Sequence, residues 1–133
     1  MEQDIRIAEL NRYPLKSGRR QSASSYDICD SGIWLDRSFV IIRDDVAEGR
    51  DNFLSQRYTR GEELVHFGID HDRHLQDRFL KFFKSNISIE LDTSLQKRQR
   101  VCIHGRETSG LDCGDQVAET LSDYFGFQVR MVC

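Results

Sequence analysis

A chain of 133 residues carrying a net charge of −3 has room for one ordinary core. It has no general attraction for nucleic acid or anionic lipid, so any anion site in it must be local. Hydrophobic content of 38% and charged content of 31% describe a somewhat polar globular protein, without an apolar run long enough to span a bilayer. The reading is therefore a single domain over residues 1–133. The acidic start Met1-Glu2-Gln3-Asp4 has no apolar core behind it, so no secretion signal is read and a cytoplasmic location is expected.

In chain order, Ile5 to Leu10 reads as a first strand running into Tyr13-Pro14, where the only proline removes a ladder donor. The stretch from Arg12 to Arg20 holds four basic side chains and no acid. Within it, Ser17 and Gly18 suit a tight turn that aims peptide N–H groups at an anion, with Lys16 beside them. Ser22 to Cys29 is a weaker second strand, and Asp30-Ser31-Gly32 is turn chemistry. Ile33 to Arg37 leads into Ser38–Ile42, β-branched and aromatic, the strongest strand signal in the chain.

Asp44 to Asn52 reads as a tolerated insertion at a hairpin tip. Strands are expected at Phe53–Ser55 and Glu63–Ile69, with an exposed charged loop at Asp70–Asp77. A hairpin follows, Phe79–Phe83 and Ile87–Leu91 around Lys84-Ser85-Asn86, and then a strand at Gln99–Ile103 closed by His104-Gly105. Val117, Leu121, Tyr124 and Phe125 share one helical face between Gly114 and Phe125, with Asp112 as N-terminal cap and Gly126 after the last turn. Phe127 to Val132 is a final strand. The fold class is mainly β (α+β): a small β-barrel or strongly curved sheet with one C-terminal helix.

Three basic positions at strand ends, Lys16, Arg37 and Arg57, are the candidates for an anion site, with Asp36 orienting Arg37 or simply pairing with it. His71 and His74 form an H-x-x-H among acids, but without cysteines or a helix to fix them they read as a solvated loop; no metal site is assigned. His104 is read as a rim or core histidine. The four cysteines contain no C-x-x-C and are expected to be reduced, Cys29, Cys102 and Cys113 buried and Cys133 incidental. No nucleophile elbow, phosphate-loop consensus or dinucleotide fingerprint is present, so no catalytic residue is named. Nucleic-acid binding through Arg12–Arg20 is disfavoured, because Tyr13 is the only aromatic there for bases to stack on.

Six local patterns then fall in a fixed order: Tyr13-Pro14-Leu15-Lys16-Ser17, Gly32-Ile33, Asp36 to Val40, Leu54-Ser55-Gln56-Arg57, Val101 to Gly105, and Asp112-Cys113-Gly114. Together they resemble, over essentially the whole chain, the N-terminal β-barrel domain that precedes the MOSC domain in molybdenum-cofactor proteins. That group includes the mitochondrial amidoxime-reducing components, bacterial relatives that reduce N-hydroxylated bases, and the C-terminal part of molybdenum cofactor sulfurases. The resemblance implies that Lys16, Ser17 and Arg37 hold the phosphate of the pterin cofactor, and that Arg57 matches a recurring basic position. It also implies that the molybdenum-ligating cysteine belongs to the MOSC domain; none of Cys29, Cys102, Cys113 or Cys133 matches it. The expected function is the barrel half of a MOSC-type protein, as a split subunit or as a fragment, contributing phosphate and pterin contacts and substrate recognition. It is incomplete as an enzyme by itself and completed by a MOSC-domain polypeptide in trans. The alternative is a non-enzymatic module that captures a protein or small anion without the cofactor.

Overall fold

The computed structural model describes residues 3–57, 60–71 and 78–133. Eleven strands and one α-helix are present among them, with a short 3-10 helix before the sixth strand. The fold is mainly β with a single C-terminal α-helix, as the sequence predicts, but the ladders do not close into a barrel.

The strands fall into five small antiparallel sheets. β1 (Leu10–Arg12) pairs with β2 (Gln21–Ala23), and β3 (Ile28–Cys29) with β4 (Gly32–Ile33). β5 (Val40–Arg43) pairs with β11 (Val129–Val132). β6 (Phe67–His71), β7 (Arg78–Phe82) and β8 (Ile87–Glu90) form a three-stranded meander. β9 (Arg98–Ile103) and β10 (Arg106–Leu111) form a hairpin. Single backbone contacts tie these sheets together: Arg19 N–H to the Phe67 carbonyl, the Leu15–Phe39 and Asp112–Val132 bridges, and Asp92 N–H to the Cys113 carbonyl. The sheets therefore wrap the core without continuous ladders between them.

That core gathers one face of the β5–β11 sheet and one face of the β6–β7–β8 sheet against the helix α1 (Asp115–Phe125). Leu15, Phe39 and Ile41 meet Leu64, Phe67 and Leu80 there, and Val117, Leu121 and Phe125 close it from the helix. Phe67 stacks on Phe82 at 4.7 Å and takes the edge of Tyr124 at 5.0 Å, so β6 and α1 are joined by aromatic packing. The α1 stripe is the one its spacing predicts. Gly126 ends it at φ 81°, donating its N–H to the Ser122 carbonyl. Because an alanine resists that left-handed conformation, Gly126→Ala should lose about 1 kcal/mol of stability, read from the urea midpoint.

Several expectations shift. The first strand begins at Leu10, not Ile5, because β2 is three residues long and its ladder runs out; Ile5 and Ile7 stay 98% and 79% exposed. Phe53–Ser55 makes only an isolated bridge, Phe53 to Ile42. Glu63–His66, the first half of the predicted Glu63–Ile69 strand, fall in the 3-10 helix Gly61–His66 instead, and the strand starts at Phe67. Leu64 is the one apolar side chain of that turn that is fully buried, Val65 staying 41% exposed, so a single helical turn meets its apolar demand. Strand β10 carries no strand signal of its own, since its polar run shows no alternation; β9 recruits it through a two-residue turn. His104 and Gly105 both have positive φ (50° and 77°), the backbone of a type I′ hairpin.

Asp112 does not cap α1. The N-cap residue is Gly114, with no side-chain cap, and Asp112 instead accepts the Gly114 N–H and pairs with Arg130. Cys102 and Cys113 are buried as expected, but Cys29 is exposed in the β3–β4 hairpin. Cys133 is not incidental: it exchanges two backbone hydrogen bonds with Leu111, and its thiol meets that of Cys113. That contact, with Arg78 and Arg98 nearby, lowers the Cys133 pKa. No helix among the described residues is long and apolar enough to cross a membrane.

Candidate functional site

The turn after β1 is built by Leu15 and Gly18, whose carbonyl and N–H meet at 2.9 Å. Ser17 sits third in that turn at φ 63°, as a type II turn requires. Gly18 is held to glycine by space, since a Cβ there would lie 2.9 Å from that of Leu15. The segment is braced on one side by Phe39, whose carbonyl takes the Lys16 N–H at 2.8 Å, and on the other by Phe67, which takes the Arg19 N–H. Neither the amide nor the hydroxyl of Ser17 is engaged by another described residue, which leaves two donors at the turn.

Lys16 and Ser17 face a groove of about 440 Å³ whose other walls are Asp51, Phe53, Ser55, Gln56, Arg57 and His104. The Lys16 ammonium lies 5.3 Å from the centre of the Phe53 ring, a cation–π contact that steadies a flexible side chain. His104 meets the same ring edge-on at 5.3 Å. Gln56 reaches the Ser17 carbonyl at 3.5 Å and so links the Ser55–Arg57 arm to the turn. No ion pair engages Lys16 or Arg57 among the described residues, so both charges are available to a ligand.

Of the residues the sequence singles out, the fold thus brings Lys16, Ser17 and Arg57 to one groove. Arg37 is placed differently. Its backbone is joined to the same segment, with its N–H on the Tyr13 carbonyl at 2.6 Å. Its guanidinium, however, pairs with Asp36 at 2.6 Å and lies over the Tyr13 ring, and Arg37 does not line the groove. Asp36 does more than orient Arg37: its other oxygen accepts the Tyr13 N–H at 2.7 Å, fixing the entry to Lys16.

Asp51, the charged groove residue missed by sequence reasoning, comes from the Asp44–Asn52 loop, whereas His104, read as a rim or core histidine, lines the groove from the β9–β10 turn. That loop is no free insertion. Arg100 donates to the carbonyls of Val46, Ala47 and Arg50, and Asn52 is locked to Arg100 and Cys102 through side-chain bonds of 2.8 Å. Asp51 is thereby presented to the groove, accepting the Gly105 N–H at 2.9 Å and the Cys102 thiol at 3.4 Å. The Gly105 N–H holds its carboxyl below the usual range, so it is ionised at neutral pH. No local signal marks Asp51, because its role depends on a hairpin about fifty positions further along the chain. Of the H-x-x-H pattern, His71 meets the Trp34 ring edge-on at 5.3 Å, and residue 74 lies outside the described residues.

A family model for the MOSC N-terminal beta barrel domain matches residues 4–128. The chain belongs to this family. No curated protein and no solved structure gives a significant match. In this MOSC N-terminal domain the matched span includes every residue of the groove, from Lys16 to His104. The groove's donors are the kind that neutralise a phosphate: an ammonium, a guanidinium, a hydroxyl and a turn amide. None of its lining residues is a cysteine.

Proposed function

We propose that this chain is the barrel half of a MOSC-type molybdenum-cofactor protein and supplies the contacts to the cofactor's phosphate and part of the substrate wall. Family membership supports the protein class. The observation that carries the reading to named residues is the convergence of Lys16, Ser17 and Arg57 on one groove, with both basic groups uncommitted. The cofactor, when bound, supplies the redox-active molybdenum; the cysteine that ligates it would come from a MOSC-domain polypeptide. This chain's own part is to bind and orient. Lys16 and Arg57 offset the phosphate charge, while the Ser17 hydroxyl and amide fix its position. Arg37 adds a contact only after its guanidinium leaves Asp36, so its share is smaller.

Calorimetric titration with inorganic phosphate, and with the pterin cofactor once a MOSC-domain polypeptide is present, tests this. Losing one charge-assisted hydrogen bond costs about 1.5–3 kcal/mol, roughly ten- to a hundredfold in affinity. Lys16→Ala and Arg57→Ala should each show a loss of that order, Arg37→Ala a smaller one. Unchanged affinity in Lys16→Ala and Arg57→Ala would remove the assignment.

A further inference from the structure

The groove assigned to phosphate also holds an acid that a bare phosphate would avoid. Asp51 shares it with Lys16, Ser17 and Arg57. The hydrogen bonds from the Gly105 N–H and the Cys102 thiol both fall on Oδ1, and the His104 backbone N–H and imidazole add to the stabilisation of the charge. No bond of 3.5 Å or less from a described residue falls on Oδ2. Nor does any basic side chain among the described residues pair with it. Asn52 next door is bonded at both ends of its amide, so the carboxylate cannot swing away by a small backbone adjustment. An ionised carboxylate is thus held in the wall of a groove that Lys16 and Arg57 also line.

Its effect on ligands is one of discrimination. A like charge near a phosphate dianion lowers the affinity of any ligand that is nothing but an anion. A ligand that also carries an N–H donor recovers that loss by bonding to Oδ2, and a charged donor recovers more. We infer that the groove selects a phosphomonoester bearing an amino or ammonium group close to the phosphate, with Lys16, Ser17 and Arg57 on the phosphate and Asp51 Oδ2 on the donor. This rests on the reading of the groove as a phosphate site and adds the class of molecule attached to that phosphate. His104, exposed at the groove edge, is another titratable neighbour.

Two small probes separate the questions: methyl phosphate, which is only an anion, and O-phosphoethanolamine, which adds an ammonium. Calorimetry on the full chain should give O-phosphoethanolamine about a tenfold advantage, the size of one charge-assisted bond. In Asp51→Asn, which keeps an Oδ1 acceptor for Gly105 and Cys102, the advantage should disappear, mainly because methyl phosphate binds more tightly. Equal affinity of the two probes for the unaltered chain, a measurement needing no variant, overturns the selection by Asp51 while leaving the phosphate site standing. An advantage that survives in Asp51→Asn overturns it as well. Failure of both probes to bind overturns the phosphate site itself, and the selection with it.

Discussion

Gly61→Ala should lower the unfolding free energy by about 3 kcal/mol and weaken phosphate binding at the groove together. A Cβ at Gly61 would lie 1.8 Å from the Ser55 carbonyl oxygen and 2.8 Å from its carbon. Both are backbone atoms, so no side-chain rotation relieves the clash. The strain must move either the 3-10 helix, which would pull Leu64 from the core, or the Ser55–Arg57 arm, which would carry Arg57 away from Lys16. Gly68→Ala provides the contrast. Its nearest obstacle, at 3.0 Å, is the ring of the half-exposed Phe83, which can turn aside. Urea unfolding followed by circular dichroism, with phosphate titration of the same samples, checks both halves. A Gly61→Ala protein as stable as Gly68→Ala would show that the close approach of Gly61 to Ser55 is not a fixed feature of the fold.

Asp112→Ala should cost about 3 kcal/mol, and the stability of the unaltered protein should fall in acid because of the same group. Asp112 is 5% exposed, and Arg130 bonds both of its oxygens, the Nη2–Oδ1 contact being 2.9 Å. Burial alone would raise the carboxyl pKa, but the Arg130 hydrogen bonds, the Gly114 N–H and Gln99 outweigh it and hold the value at about 2. The same carboxylate raises the Arg130 pKa. Removing the acid leaves that guanidinium largely buried, with only the exposed Asp115 as a partner. The folded pKa lies below that of an unfolded aspartate, about 3.9, so the stabilisation is fully present above pH 4 and is lost as pH falls through about 2. A gap of nearly two units corresponds to roughly 2.5 kcal/mol. Urea midpoints between pH 6 and pH 2 should show this loss in the unaltered protein and a correspondingly smaller one in Asp112→Asn. Equal acid sensitivity in the two would place the titrating group elsewhere.

The two cases lie at different distances from the sequence. Periodicity alone locates α1, because Val117, Leu121 and Phe125 lie on one face and Gly126 is the residue that can end it. Alternation and β-branching locate β5, β7, β8 and β9, whose partners are near in sequence or whose inner faces are strongly apolar. The basic turn at Lys16–Gly18 is legible for a similar reason: serine and glycine are the residues a tight turn needs, and their neighbours carry charge.

What local reading cannot supply is pairing across long separations. Asp112 looks like a helix cap until Arg130, on a strand eighteen residues later, claims it. Asp51 looks like loop filler until the β9–β10 turn closes over it. Ile5 and Ile7 alternate like a strand, yet no partner strand reaches them. The sequence by itself determined the class of fold, the helix and the basic turn, since these follow from conformational preferences and apolar spacing within a few residues. Which side chains share the groove, and which acid answers which base, was decided only by the tertiary structure. Those contacts depend on long-range closure, and nothing in a local window records it.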